Sequence, residues 1–170
     1  EIMVNTPRFS ILAMGRSEGP GCYCLINDML RHFIDKLSAR FSIILIDCEA
    51  GLEHLSRRTT RDVDTMLLVS DPTKRGIDTA ANIKNLAEKL QIDFRHIYLV
   101  LNKVTEDEPV KNALDEMVKN SGITLVGTVP EDENISAFDL VGKPITELPD
   151  DSKAVVAVKE IFERCFPHLL

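Results

Sequence analysis

The sequence predicts an α/β fold in which helices cover both faces of a doubly wound, mostly parallel sheet. Five apolar, β-branched runs are nearly continuous rather than alternating, which is typical of strands covered on both faces. Segments with helical periodicity lie between these runs, and this alternation is the pattern of the fold class. The strands are expected at Phe9 to Met14, Ile43 to Asp47, Thr65 to Ser70, Ile97 to Asn102 and Thr124 to Val129.

Four helices are expected, each on its own signal. Apolar residues recur every four positions in Cys22 to Arg40, and Ile77 to Leu90 carries a similar stripe. Pro109 to Asn120 has proline in its first turn, and Gly122 follows it as a helix-ending residue. Ser152 to Cys165 begins on a favourable N-cap. The polar stretch 130–151 is interpreted as loops with one helical turn near Ile135 to Leu140.

Length and charge narrow the class of protein. With 170 residues and 44% apolar content, the chain is long enough for a single domain over residues 1–170. The net charge of −7 argues against a nucleic-acid partner, which would favour a basic face. No run of about 20 apolar residues or secretory leader is visible, so no membrane association is expected. Four cysteines without a disulfide framework favour the reducing cytoplasm.

One predicted strand ends in residues that suit a magnesium nucleotide. Asp47 follows the apolar run, and its carboxylate is of the kind that P-loop NTPases place beside Mg²⁺. Gly51 would allow a backbone N–H to approach a terminal phosphate. The alternative is an acid that ends a strand and caps a turn. The partner motif G-x-x-x-x-G-K-[ST] does not occur in the 170 residues.

Two further strand ends suggest contacts with a nucleotide base. In an open parallel sheet, ligands collect at the carboxyl ends of the strands. Asn102 and Lys103 follow one buried strand, and an amide can both accept from and donate to a purine edge. The stretch Val129-Pro130-Glu131-Asp132 would supply backbone groups beside the same base, with Pro130 and Glu131 as its site residues. The alternative is that Asn102 is simply a turn former.

Cys22 and Cys24 lie at or just before the start of a predicted helix. The helix N-terminus lowers the pKa of a thiol, and thiolate is the form that binds metal. Two sulfurs do not complete a tetrahedral shell for Zn²⁺ or Ni²⁺, so a second copy of the pair across a two-fold axis would be needed. The alternative is two small cysteines that are buried or redox-labile. Cys48 and Cys165 are expected in the core.

Taken together, these motifs resemble one family. Cys22-Tyr23-Cys24, Asp47 to His54, Asn102-Lys103-Val104 and the Val129 to Asp132 stretch look like the CooC-type accessory ATPases of the MinD/ParA branch of P-loop NTPases. The resemblance implies ATP and Mg²⁺ as cofactors, with Asp47 on the magnesium side, Gly51 as switch glycine and Asn102 on the adenine side. It also implies a homodimer that holds Ni or Zn on Cys22 and Cys24, with carbon monoxide dehydrogenase as client.

The chain departs from the family pattern at its N-terminus, where the Walker loop and its strand are missing. We therefore expect a P-loop NTPase-like fold incomplete at the N-terminus, and a chain that neither binds ATP tightly nor hydrolyses it. The leading hypothesis is a nucleotide-dependent metallochaperone for nickel insertion. The alternatives are a MinD/ParA-like regulatory or partitioning ATPase, and a non-catalytic interaction domain.

Overall fold

The computed structural model describes residues 3–13, 36–37, 40–48, 63–92, 94–105 and 107–167. The chain divides into two compact units, residues 1–46 and residues 47–170. Each unit is described by itself below. The prediction of a single domain stays a prediction.

The first unit contains a β-hairpin of two short strands, β1 (Met3–Asn5) and β2 (Ser10–Leu12). The strands pair antiparallel, with Val4 opposite Ile11. The Thr6 hydroxyl oxygen accepts a hydrogen bond from the Phe9 N–H at 3.0 Å and fixes the turn. The predicted strand at residues 9–14 is thus confirmed over Ser10–Leu12, but the expectation of a parallel neighbour is wrong there. A connection this short can join only antiparallel strands.

The predicted strand at Ile43 to Asp47 is wrong for the structure as described. Residues 41–48 carry no strand, and every side chain among them is exposed. Apolar, β-branched composition shows only that a segment could join a sheet. Strand formation also requires a neighbour that satisfies the backbone groups, and no described strand pairs with residues 43–47.

The second unit is built from alternating strands and helices that end close to the predicted positions. Its sheet is parallel throughout, in the order β3-β4-β5. The elements are β3 (Val63–Ser70), α1 (Lys74–Lys89), β4 (Phe94–Val104), α2 (Glu108–Ser121), β5 (Thr124–Pro130), α3 (Glu133–Leu140), a 3₁₀ turn (Ile145–Glu147) and α4 (Lys153–Cys165). This confirms the α/β fold class. The predicted helix at Cys22 to Arg40 lies almost wholly outside the described residues.

Local signals explain where these helices begin and end. Thr73 caps α1, because its hydroxyl oxygen accepts from the Gly76 N–H at 3.0 Å. Pro109 lies in the first turn of α2, where a missing N–H costs no helical hydrogen bond. Gly122 ends α2 with φ at 65°, a left-handed conformation that glycine adopts without a steric penalty. The helix-ending role predicted for Gly122 is confirmed.

The core of this unit lies on both faces of β4. Leu99 and Leu101 face one layer, which α1 and α2 cover, while Val100 faces the layer covered by α4. Both leucines are almost fully buried, at 0% and 1% exposure. The alternation of one strand between two covered faces explains its continuous apolar sequence. Cys165 lies in the second layer, as predicted.

Within the described residues, no helix is long and apolar enough to cross a membrane.

Candidate functional site

The ends of β4 and β5 lie side by side, which brings four predicted site residues together. In the parallel register Asn102 is opposite Val129, and Val104 is opposite Pro130. The Glu131 N–H then donates to the Val104 carbonyl oxygen at 3.3 Å. The predicted adjacency of the Asn102-Lys103 and Pro130-Glu131 pairs is therefore present in the fold. Their role toward a ligand stays a prediction.

The end of β4 has an irregular backbone at Lys103. This residue has φ at 59°, and the pairing with β5 shifts register between Asn102 and Val104. The Lys103 N–H turns away from the ladder and donates to Asn102 Oδ1 at 3.0 Å. A non-glycine residue in this region is uncommon, and such conformations are concentrated at functional sites. The contact fixes the Asn102 amide through its oxygen, and the amide nitrogen donates to no group among the described residues.

The end of β3 forms a close-packed turn into α1. The Thr73 hydroxyl donates to Asp71 Oδ1 at 2.9 Å, and the Ser70 hydroxyl donates to the Asp71 carbonyl oxygen at 3.0 Å. A side chain on Gly76 would come within 2.1 Å of Asp71 Oδ1 and 2.3 Å of Ser70 Oγ. A larger residue at this position would therefore displace the Asp71 and Ser70 side chains where the first turn of α1 approaches the strand end. The predicted end of this strand at Ser70 is confirmed, and Asp71 follows it directly.

Asp132 was predicted only as part of the stretch that supplies backbone groups, and its carboxylate has a structural role that was not predicted. Its carboxylate accepts hydrogen bonds from the Asn134 N–H at 2.9 Å, from the Ala154 N–H at 3.0 Å and from the Ser152 hydroxyl. The bond from Ala154, followed by those from Ser152 and Asn134, lowers the pKa of Asp132 to about 2. The sequence signal was an aspartate just before a short helix, which identifies one cap but not the second helix.

The predicted magnesium and metal residues are not placed in a site by the described structure. Asp47 is described and exposed, but it does not end a strand. Gly51, Cys22 and Cys24 lie outside the described residues. In the part of the chain that is described, no group of three or more His, Cys, Asp or Glu side chains could hold a metal ion. The magnesium and nickel or zinc assignments therefore remain predictions.

Cys48 differs from its prediction, because its side chain is exposed rather than in the core. Partial desolvation, followed by the negative charge of Asp47, raises the pKa of its thiol. This raised pKa favours the neutral thiol, which is less nucleophilic than a thiolate.

The parallel sheet with helices on both faces defines an α/β protein, and polar residues lie at the strand ends, where ligands bind in such folds. Solved structures show which α/β fold it is. A ParA family ATPase from Chlorobium tepidum superposes with a TM-score of 0.71 at 14% identity, over 99% of this chain and 67% of that one. The septum site-determining protein MinD with Mg-ADP from Pyrococcus horikoshii gives 0.63 at 22%, over 82% and 56%.

Sequence comparison adds relatives of higher identity. An uncharacterised ATP-binding protein of Methanocaldococcus jannaschii is 44% identical over 164 residues, which are 96% of this chain and 64% of that protein. The carbon monoxide dehydrogenase accessory protein CooC of Rhodospirillum rubrum is 33% identical over 98% of this chain and 64% of its own length. No protein-family profile matches the chain.

The structural comparisons show that the chain has the fold of MinD and ParA proteins, and the sequence comparisons show that it is similar to an ATP-binding protein and to CooC. They do not single out the CooC type, because an uncharacterised ATP-binding protein matches at higher identity. The chain spans 64% of the length of the uncharacterised ATP-binding protein and 64% of the length of CooC.

Proposed function

We propose that this chain is part of a MinD/ParA-type ATPase and that the ends of β4 and β5 form the base side of its nucleotide site. The adjacency of Asn102-Lys103 and Pro130-Glu131 at one sheet edge is the observation that carries the proposal. The names of the relatives support it, since one is an ATP-binding protein and a protein of the same fold was solved with Mg-ADP.

The chemistry of these residues suits a purine edge. The Asn102 amide nitrogen can donate to a ring nitrogen, and its oxygen keeps a second lone pair for an exocyclic amino group. The oxygen is already fixed by the Lys103 N–H, so the amide loses little rotamer freedom on binding. The Pro130 carbonyl group and the Glu131 backbone lie on the neighbouring strand end.

The phosphate side of the site is proposed at Asp47 and Gly51. Asp47 would face Mg²⁺ and Gly51 the terminal phosphate, as the family resemblance implies. Because no G-x-x-x-x-G-K-[ST] motif is present in the 170 residues, this chain lacks the backbone cradle and lysine that neutralise phosphate charge. We therefore expect the chain to bind a nucleotide weakly through its base and to show no ATP turnover.

We further propose a specific role for this ATPase, namely a metallochaperone-type accessory role in nickel insertion into carbon monoxide dehydrogenase. Cys22 and Cys24 from each of two copies would then hold one Ni²⁺ or Zn²⁺ ion in a homodimer, because four sulfurs complete a tetrahedral shell. The 33% identity to the CooC accessory protein supports this proposal. A MinD/ParA-like regulatory ATPase is also compatible with the comparisons.

The base site can be tested by titrating the amide-labelled chain with adenosine and with uridine while recording ¹H–¹⁵N NMR spectra. Adenosine is expected to shift the Asn102, Lys103 and Glu131 amides, with a smaller response to uridine. Asn102→Ala should weaken adenosine binding about tenfold, the equivalent of about 1.4 kcal/mol for lost hydrogen bonds. Asn112→Ala, at an exposed position of α2, is the matched control. Shifts scattered over the surface would contradict the proposed site.

The metal proposal needs a separate titration with Ni²⁺ and with Zn²⁺, followed by isothermal calorimetry and sedimentation. Wild type is expected to bind one ion per two chains and to sediment as a dimer. Cys22→Ser/Cys24→Ser should lose both properties, whereas Cys48→Ser/Cys165→Ser should keep them. If the two double variants bind alike, the metallochaperone proposal fails and the regulatory or interaction role is favoured.

A further inference from the structure

The Asp132 carboxylate joins the ends of three elements. Asp132 follows the end of β5 by two residues and caps α3 through Asn134, the second residue of that helix. Its other oxygen accepts from Ala154, the second residue of α4, and from the Ser152 hydroxyl. One side chain therefore caps two helices whose starting points are 20 residues apart in the sequence.

Ser152 shows that this arrangement replaces an ordinary helix cap. It occupies the N-cap position of α4, where a serine oxygen usually accepts a hydrogen bond from its own helix. Here its side chain makes no such bond, and the hydroxyl donates to Asp132 instead. Ser152 is 2% exposed and is the one buried polar residue of the described chain. A buried hydroxyl needs a partner, so the Ser152–Asp132 bond is costly to break.

Helix α4 is itself fixed to β5. Its Ile161 side chain fills the space above Gly127, where an added Cβ would lie 2.5 Å from Ile161 Cγ1. Its Arg164 guanidinium donates to the Val126 carbonyl oxygen at 3.1 Å. Asp132 therefore attaches the residues that follow β5 to a helix that already packs along the same strand.

We propose that Asp132 is the positioning residue of the base-side turn: its carboxylate holds Pro130 and Glu131 beside the end of β4 by binding the N-termini of α3 and α4. The expected effect of Asp132 on nucleotide binding rests on the proposed function. The turn itself contacts β4 beyond the strand ladder through the Glu131 N–H and the Val104 carbonyl oxygen, at 3.3 Å. A contact of that length offers little restraint of its own.

The expected result differs if Asp132 only stabilises the two helices. If Asp132 only caps α3 and α4, its removal lowers stability and speeds amide exchange at Asn134 and Ala154, which lose their acceptor. If Asp132 also positions the turn, the Glu131 amide must exchange faster too, although that amide makes no bond to Asp132. The Glu131 amide thus reports positioning separately from capping.

The experiment compares Asp132→Ala, Asp132→Asn and the control Asp151→Ala, an exposed acid next to Ser152. Hydrogen exchange of the full chain is measured by NMR, with adenosine titrations in parallel. Asp132→Ala is expected to speed Glu131 exchange about tenfold, which corresponds to the loss of hydrogen bonds to a charged group. Adenosine binding should weaken by a similar factor, while the Leu99 and Leu101 amides keep their protection. Asp132→Asn, which retains an acceptor for Asn134, should lie in between.

Two outcomes would overturn the proposal, and a third would concern only the proposed function. Glu131 exchange equal to that of the Asp151→Ala control would show that Asp132 is only a cap. If wild type binds no adenosine, the proposed function fails, but Glu131 exchange still decides whether Asp132 positions the turn. If Asp132→Ala does not fold, Ser152→Ala provides the same test, because it removes one of the three bonds and should speed Glu131 exchange about threefold. An unchanged Glu131 rate in that variant would equally contradict the proposal.

Discussion

The two units contain similar apolar segments with very different environments. Leu99 and Leu101 in β4 are 0% and 1% exposed, because a strand lies on each side and helices lie above and below. Ile43 and Leu45, in an equally apolar run of the first unit, are 61% and 80% exposed. Apolar composition therefore produces a core only where neighbouring elements cover it. A two-stranded hairpin such as β1–β2 is marginal by itself for the same reason.

The largest expected effect is the contrast between Leu101→Ala and Leu45→Ala. Leu101→Ala should lower the free energy of unfolding by about 2–5 kcal/mol, because it removes buried methyl groups and leaves a cavity. Leu45→Ala should change it by less than about 0.5 kcal/mol, as surface substitutions do. Urea unfolding followed by circular dichroism measures both. A large decrease in the free energy of unfolding for Leu45→Ala would contradict this contrast, since it would show that the segment is covered in solution.

A smaller effect is expected where α4 packs on β5. Gly127→Ala should lower the free energy of unfolding by about 1–3 kcal/mol, because the new methyl group meets Ile161 Cγ1 at 2.5 Å and the helix must shift. The measurement is a double-mutant cycle with Ile161→Ala, in which the cost of Gly127→Ala should largely disappear. Additive costs would mean that the glycine is needed for some reason other than this contact.

The smallest effect concerns the pH dependence of the packed unit. The pKa of Asp132 is about 2 in the folded protein, below its ordinary 3.8, so folding favours the carboxylate. The stabilisation is therefore present above about pH 4 and is lost as the pH falls from about 4 to about 2. Asp132→Asn should flatten the pH dependence of the unfolding free energy in that window.

Urea unfolding at several pH values provides the measurement, with Asp151→Asn as a matched control for the replacement of an exposed acid next to Ser152. Part of the slope should survive in Asp132→Asn, because a hydrogen bond and the charge of Lys159 also lower the pKa of Asp150. Identical slopes for wild type and Asp132→Asn would rule out the hydrogen bonds to Asp132 as a source of pH-dependent stability.

Local signals were sufficient to predict most of the second unit. The strands β3, β4 and β5 end within three residues of their predicted bounds, and Gly122 ends α2 as expected. These elements carry strong signals of their own, namely continuous apolar runs, a proline in a first helical turn and a glycine directly after a helical segment. The base-side adjacency was also predictable, because the carboxyl ends of parallel strands meet at one edge.

Contacts between distant residues were not predictable in this way. Nothing near Asp132 shows that its carboxylate reaches Ser152, and nothing near Lys84 shows that its ammonium donates to the Gly122 carbonyl oxygen at 2.8 Å. Such pairs depend on how helices are placed on the sheet. The predictions for Cys22, Cys24 and Gly51 are of another kind, since those residues lie outside the described part of the chain.

Local sequence signals were enough to predict the fold class, the order of strands and helices in the second unit and the residue types at its strand ends. This was possible because backbone propensity and apolar periodicity act over a few neighbouring residues. The packing of distant elements selected which apolar runs became strands and which acid capped two helices. Both depend on partners far away in the chain, and a backbone ladder or a helix-capping carboxylate is stable only when those partners are in place.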